Sequence, residues 1–453
     1  ATSVTNSKWA VSMATVDGTR RFLARAVQRG AVSPGNVRLM PLNAPSTGLS
    51  CSALGYGAYR IGGGQDAAAH LRSVRAAISA GVNLLDTSSH YSASKDGAHG
   101  ASEKLIGQAI AEVVSDGEAT RDELIVCTKV GHVARGAERP PESVPVGVDG
   151  GQDDWHSIHP DFLYAEAKAS RERLCTTPDF LLLHNPEYRL SSQMREGVGI
   201  EQAWDEMYSK LREAFKTLEQ LCDDGIISSG YGVSGNFLSC MFSTTGRPNG
   251  YEALTIDRVL DAAEEAASSL GKTKHRLKLL QLPVNAVESG AILGRGSAMP
   301  QALEGDAAIA ARNGVAVVTN RPLNTLPVPG VSSGDWGRGS TSHVVLKESK
   351  PLGTQQALLK KVLLESATPE GKALQLSEVA QSVVALQRLA LHLAVSVPGV
   401  SCGLSGMRRE AYVEDAAAVL AEAPLPAEQA VQAMTNVRKL YEELGAEHRR
   451  FWA

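Results

Sequence analysis

Beyond residue 48 the chain alternates short apolar runs with stretches whose apolar residues recur every three or four positions. Leu54-Gly55-Tyr56-Gly57 reads as a strand, Leu71, Val74 and Ile78 share a helical face ended by Gly81, and residues 82–86 return to strand. The cycle recurs. Strands are expected at 124–129, 179–184, 226–234, 279–282, 315–319 and 400–404. Helical periodicity fills the intervals: residues 161–174, the stripe Trp204, Leu211, Phe215 and Leu218 closed at Gly225, and the face Val379, Val383, Leu386, Ala390 and Leu393. Met434, Val437, Tyr441 and Leu444 space out one more amphipathic helix near the C-terminus.

Strands without polar alternation are buried on both faces, as in a parallel sheet covered by helices. Eight such units predict an α/β fold, a closed (β/α)8 TIM barrel with extra C-terminal helices. The competing arrangement is a doubly wound open sheet with a Gly-rich dinucleotide turn. Gly230-Tyr-Gly-Val-Ser-Gly235 has that spacing, but it lies at the fifth strand and leads into Phe-Leu-Ser-Cys rather than a clear helix start. Two long polar stretches rich in Gly and Pro, about 131–160 and 326–353, leave from the C-terminal ends of strands, which is the active face of a barrel. The expected organisation is therefore an extension at 1–45, one elaborated barrel at 46–425 carrying both insertions, and a terminal helix at 426–453.

Composition sharpens this picture at one end of the chain. With 43% hydrophobic and 21% charged residues among 453, a large core is affordable and wholesale disorder is excluded. The 45 basic and 49 acidic residues give no global footprint for nucleic acid, and no run of 18 apolar residues suggests a membrane span. Up to residue 45, however, Lys8, Arg20, Arg21, Arg25, Arg29 and Arg38 face the single acid Asp17. An Arg-rich, acid-poor start with Phe22, Leu23, Ala26 and Val27 on one helical face has two readings: a transit segment for a mitochondrion or other organelle, or a solvated tail on a cytoplasmic protein. The six cysteines, Cys51, Cys127, Cys175, Cys222, Cys240 and Cys402, form no CxxC pair and read as ordinary buried thiols. Asp153, Asp154, His156, His159 and Asp161 have metal-like spacings. Their place in a polar insertion beside Pro160 favours a solvated loop with a helix-capping Asp161, so no metal is expected.

The chemistry lies at consecutive strand ends. Asp86 ends the second strand with Tyr91 five residues on, Lys129 ends the third, and His184 ends the fourth. Singly, each has an ordinary explanation: a helix cap, a rim aromatic, a solvated amine. On adjacent barrel strands they converge. A phenol with a pKa of about 10 can donate a proton near neutral pH if a nearby ammonium stabilises its anion. Lys129 is expected to lower the pKa of Tyr91, Asp86 to hold Lys129 charged, and His184 to bond a substrate oxygen or relay a proton. The set suits carbonyl reduction and lacks the nucleophile–base pair or carboxylate pair of acyl transfer and glycoside hydrolysis.

With these motifs the sequence resembles the aldo-keto reductase superfamily from about residue 37 to 419. Thr47 to Gly62 is similar to the family's opening hairpin and first strand. Leu85-Asp86-Thr-Ser-Ser-His-Tyr91 with Ser102-Glu103-Lys104-Leu105-Ile106-Gly107 resembles its most diagnostic segment, and Thr128-Lys129, Leu183-His184-Asn-Pro-Glu187 and Gly232-Val-Ser-Gly-Asn-Phe237 follow in order. The resemblance implies an N-terminal β-hairpin plugging the barrel floor, a tetrad of Asp86, Tyr91, Lys129 and His184 with Tyr91 the proton donor, and NADPH-dependent carbonyl reduction of an aldehyde, ketone or sugar-like substrate. It further implies cofactor contacts from Gly57, Tyr59, Arg60 and Asp86, from Ser234, Asn236 and Gln281 at the carboxamide, from Arg321, and from Ser405, Arg408 and Glu414 at the adenosine phosphate. Two positions depart from the family pattern. Asn320 or Arg321 stands where an aromatic usually stacks on the nicotinamide, and Ala416 replaces an expected Asn. The alternative role is a cofactor-binding or structural subunit, with a protein partner met through the basic extension and the insertions.

Overall fold

The computed structural model describes residues 13–41, 47–92, 98–146, 154–235, 256–285, 288–294, 306–327, 343–345 and 386–443. Eight strands close a barrel: β1 (Leu54–Gly57), β2 (Leu84–Asp86), β3 (Ile125–Val130), β4 (Phe180–His184), β5 (Gly230–Ser234), β6 (Leu277–Pro283), β7 (Ala316–Asn320) and β8 (Cys402–Ser405). Each pairs in parallel with its sequence neighbours, and β8 returns to β1 through Gly403 opposite Leu54. This closure excludes the open doubly wound sheet. The glycines of the 230–235 motif serve packing instead: a Cβ on Gly232 would lie 2.0 Å from the Leu279 carbonyl oxygen, so β5 and β6 need a bare backbone there. Strand β5 starts at Gly230, later than the apolar pattern suggested, because Ile226 and Ile227 are buried within the preceding turn.

The barrel floor is sealed by sequence from before β1. Val37–Leu39 pairs antiparallel with Ser50–Ser52, and Met40, Leu49 and Cys51 from this hairpin meet Leu84, Cys127, Leu182 and Cys402 of the barrel interior. Beside it, the helix Val16–Gln28 is capped by Thr15, whose side chain accepts from the Gly18 N–H, and buries Phe22, Leu23 and Ala26. Residues 16–28 therefore form a packed helix rather than a solvated tail. Two of its three arginines are neutralised locally: Arg21 meets Asp122 at 3.0 Å and Glu123 at 3.1 Å, and Arg25 meets Glu123 at 2.7 Å. Composition pointed to a free basic segment because the acidic partners lie about a hundred residues further along the chain.

Below β3 and β4 the floor is tied by one buried carboxylate. Asp179 accepts the Ala14 and Val126 N–H groups at 2.8 Å each, the Ser228 hydroxyl at 2.9 Å and the Arg121 guanidinium at 3.0 Å. Four donors satisfy the charge, so its burial is compensated. The thiols are not uniformly buried: Cys51, Cys127 and Cys402 are, but Cys175 is exposed at a left-handed helix end and Cys222 is half-buried. Cys240 lies outside the described residues.

On the opposite face the first insertion folds back on the rim. Val144–Pro145 pairs with Trp155–His156, and His132 forms a β-bridge to His156. Of the second insertion only Asn324–Pro327 and His343–Val345, which pair antiparallel, belong to the described residues. The C-terminal helix Ala427–Glu443 buries Met434 and Val437 of the predicted stripe, and Leu444 lies outside the described residues. No helix among the described residues is long and apolar enough to cross a membrane.

Candidate active site

Parallel strands bring all eight C-terminal ends to one rim. Asp86 and Lys129 are fully buried there, with Lys129 Nζ donating to Asp86 Oδ2 at 2.6 Å and to the Thr87 carbonyl at 2.9 Å. The second Asp86 oxygen accepts from Gln281 Nε2 at 2.7 Å, and Gln281 Oε1 in turn accepts from Ser234 Oγ at 3.0 Å. A single chain of hydrogen bonds thus links β2, β3, β5 and β6. Lys129 Nζ lies 4.6 Å from the Tyr91 ring centroid. The loop carrying Tyr91 is fixed from both sides: its N–H donates to the Ser88 carbonyl, and its own carbonyl accepts from the Ser102 N–H. Ser102 Oγ also joins Thr87 Oγ1 and the Ala58 carbonyl, which explains why a small hydroxyl residue stands at the start of the helix Ala101–Ser115.

His184 closes the group. Its Nδ1 pairs with Ser88 Oγ at 3.2 Å, and its ring meets the Tyr91 ring edge-on at 5.5 Å. The four residues expected to converge do so. Their electrostatics differ from expectation in one respect. Burial raises the Tyr91 phenol above its ordinary pKa, and the Lys129 ammonium offsets this only in part. Burial works against the charge of Lys129, but Asp86 and Tyr91 together hold it as an ammonium. His184 is pushed well below the usual imidazole value, first by burial and then by Lys129, so it is neutral at pH 7.

Three further histidines surround His184, and sequence reasoning gave none of them a role at the site. His132 lies edge-on to it at 4.8 Å and stacks on His90 at 4.1 Å with 14° between the planes. His156 Nε2 donates to the His184 carbonyl at 2.6 Å. Gly131 lets this happen: it sits at φ 150°, and a Cβ there would lie 2.6 Å from His156 Nε2 and 2.9 Å from the His184 oxygen. Among the metal-like spacings, then, His156 points inward while Asp154 pairs with Arg135 at 2.8 Å, and Asp153 lies outside the described residues. The helix cap is His159, whose ring accepts from the Asp161 N–H, rather than Asp161 itself. No group of three potential metal ligands occurs among the described residues. The signal available in sequence was slight: His90 directly precedes Tyr91, and His132 follows Lys129 by three positions.

The expected cofactor positions divide. Gly57 lies opposite Asp86 in the sheet, Tyr59 is 59% exposed and meets Tyr91 edge-on at 5.2 Å, and Arg60 lies over Tyr59. Ser405 ends β8 and Arg408 lies two residues before the helix Glu410–Ala421, on which Glu414 is exposed. Arg321 is drawn to Glu288 at 3.2 Å, and Asn236 lies outside the described residues. At the end of β7, Asn320 keeps a buried side-chain oxygen without a hydrogen-bond partner, next to Gln281 at 3.4 Å.

The sequence model of the aldo/keto reductase family matches residues 53–241, which run from the floor of β1 through Tyr91, Lys129 and His184 to the end of β5. Over that stretch the chain is similar to the aldo/keto reductase family. Aldo-keto reductase YhdN of Bacillus subtilis is 34% identical over 87 residues, a match that covers 18% of this chain and 23% of that protein's length. Among solved structures, a holo-form aldo-keto reductase of Bacillus halodurans superposes with a TM-score of 0.50 at 18% identity, covering 89% of this chain and 96% of that one. A glycerol dehydrogenase of Gluconobacter oxydans gives 0.51 at 19% identity, covering 89% and 95%. At these identities the structural likeness carries the fold alone.

Proposed function

We propose that the protein reduces an aldehyde or ketone to an alcohol, or catalyses the reverse oxidation, with NADPH as hydride donor and Tyr91 as general acid. The observation that carries this reading is Lys129, buried between Asp86 and Tyr91 so that a fixed ammonium faces the phenol from which a proton must leave. A carbonyl oxygen placed between Tyr91 and His184 meets an O–H donor on one side. On the other it meets His184 Nε2, which has no protein partner among the described residues.

As the substrate carbonyl becomes an alkoxide, negative charge grows on that oxygen, and Tyr91 delivers its proton there. The Lys129 ammonium then stabilises the phenolate left behind, in a site where burial makes the interaction strong. Asp86 keeps Lys129 oriented, and the Gln281 and Ser234 links keep Asp86 in place. NADPH, when bound, supplies the hydride to carbon. The residues at the rim fit it. The unmet Asn320 oxygen suits the carboxamide N–H, and Arg408 with the adjoining helix N-terminus suits a 2′-phosphate through charge-assisted bonds. Arg408 makes no ion pair among the described residues, so its charge is available, which favours NADPH over NADH.

Of the basic residues that motivate the scaffold reading, Arg21 and Arg25 pair with Asp122 and Glu123. The test is direct. Purified protein is mixed with NADPH and a panel of reactive aldehydes, and absorbance loss is compared with alcohol formed. One alcohol per cofactor oxidised supports the reading; tight cofactor binding with no turnover on any carbonyl overturns it.

A further inference from the structure

Five rings form a continuous row along the rim: Tyr59 to Tyr91 at 5.2 Å, Tyr91 to His184 at 5.5 Å, His184 to His132 at 4.8 Å, and His132 to His90 at 4.1 Å. The proposed reaction uses the middle of this row and leaves its histidine end without a task. His156 and Tyr188 hold that end from below, edge-on to His132 at 5.5 and 5.7 Å. The backbone is pinned by Val133 N–H on the Trp155 carbonyl and Ser157 N–H on the Gly131 carbonyl, each at 2.8 Å. The first insertion therefore builds a fixed wall.

What this wall presents is polar. His90 is exposed and His132 is 6% exposed. Among the described residues neither ring makes a hydrogen bond with protein; the His132 nitrogens are not among the sealed, unmet atoms, and the His90 ring is exposed. Burial and the neighbouring imidazoles hold His132 well below the usual value, so it is neutral. A neutral imidazole offers one N–H donor and one nitrogen acceptor, which complements a hydroxyl group. An alkyl group pressed on the same nitrogens would strip their water and return nothing.

We infer that His132 and His90 are specificity-determining residues that bind hydroxyl groups on the carbons next to the reacting carbonyl, selecting a short polyhydroxylated aldehyde or ketone over an alkyl one. This inference rests on the carbonyl-reductase reading. With the carbonyl oxygen between Tyr91 and His184, the next carbons along the row lie against His132 and then His90. His156 acts through them as a positioning residue.

Glyceraldehyde and propanal, equal in carbon number, provide the comparison. His132→Phe keeps the stack and removes both nitrogens. It should lower the ratio of kcat/KM for glyceraldehyde over propanal by roughly 5- to 100-fold, the worth of one or two hydrogen bonds. The ratio, and not either value alone, is the readout, because both aldehydes meet the altered ring beside His184. His90→Phe, at an exposed position that does not endanger folding, should lower the same ratio by a smaller factor. An unchanged ratio in both variants overturns the inference. Should neither aldehyde turn over, the reductase reading fails, and the inference is judged by histidine ring ¹⁵N spectra. Glycerol, and not 1-propanol, should move the His132 and His90 signals and leave His156 in place; no movement with glycerol overturns it.

Discussion

The two ends of the barrel solve opposite problems with the same strands. At the floor, the buried charges of one cluster are answered by the protein itself: Asp179 takes four donors, Arg25 and Glu123 pair, and the hairpin around Cys51 fills the interior. At the rim, buried charge is held tightly, as in the Asp86 and Lys129 pair, while His184 Nε2, the Asn320 oxygen and the nitrogens of His132 and His90 are left for something else. Stability resides in closed hydrogen-bond sets, and binding capacity in the sets left open. Changes at the floor should therefore alter folding without touching chemistry, and changes at the rim should show first in chemistry and, through its buried histidines, in the pH dependence of stability.

The largest effect should come from the floor. Asp179→Ala strands a buried guanidinium and two backbone N–H groups, and is expected to cost about 4 kcal/mol in urea unfolding. The folded fraction should retain its kcat; a stable variant would show that the four donors find other partners. Phe22→Ala empties an apolar site under the helix Val16–Gln28 and should cost about 3 kcal/mol. A loss within error would return residues 16–28 to the status of a dispensable tail.

The rim should announce itself through pH. His132, His156 and His184 all titrate below the ordinary imidazole range, and burial brings His156 to about 4. Below about pH 6.5 the unfolded chain takes up protons that the folded chain refuses, so stability is present above that pH and is lost as pH falls toward 4. The expected slope is at most about 1.4 kcal/mol per pH unit for each group, read from urea midpoints at a series of pH values. His156→Phe should flatten it; a slope unchanged by that substitution would remove His156 from the cause.

Much of this contrast was legible in the chain because strand ends are. Asp86, Lys129 and His184 each close an apolar run, and Tyr91 follows at a fixed distance, so the barrel places them together without further information. His132 and His156 carry no such mark, since only the backbone of the first insertion, pinned across Gly131, Trp155 and Ser157, turns them inward. The helix Val16–Gln28 shows the same limit at the floor. Phe22, Leu23 and Ala26 were visible as a face, whereas the acids that meet Arg21 and Arg25 come from a turn remote in sequence. The rise in the Tyr91 pKa was hidden for a related reason: burial is a property of the assembled site, while the attraction of a lysine can be guessed from its proximity alone.

The central claim is that the rim moves a proton from Tyr91 beside a fixed Lys129 ammonium, and Tyr91→Phe tests it most directly when NADPH binding and turnover are measured on the same sample. The account predicts cofactor affinity within about 3-fold of the unaltered protein and turnover lower by a factor on the order of a thousand, within the usual worth of a positioned general acid. Turnover that survives the loss of the phenol would contradict it.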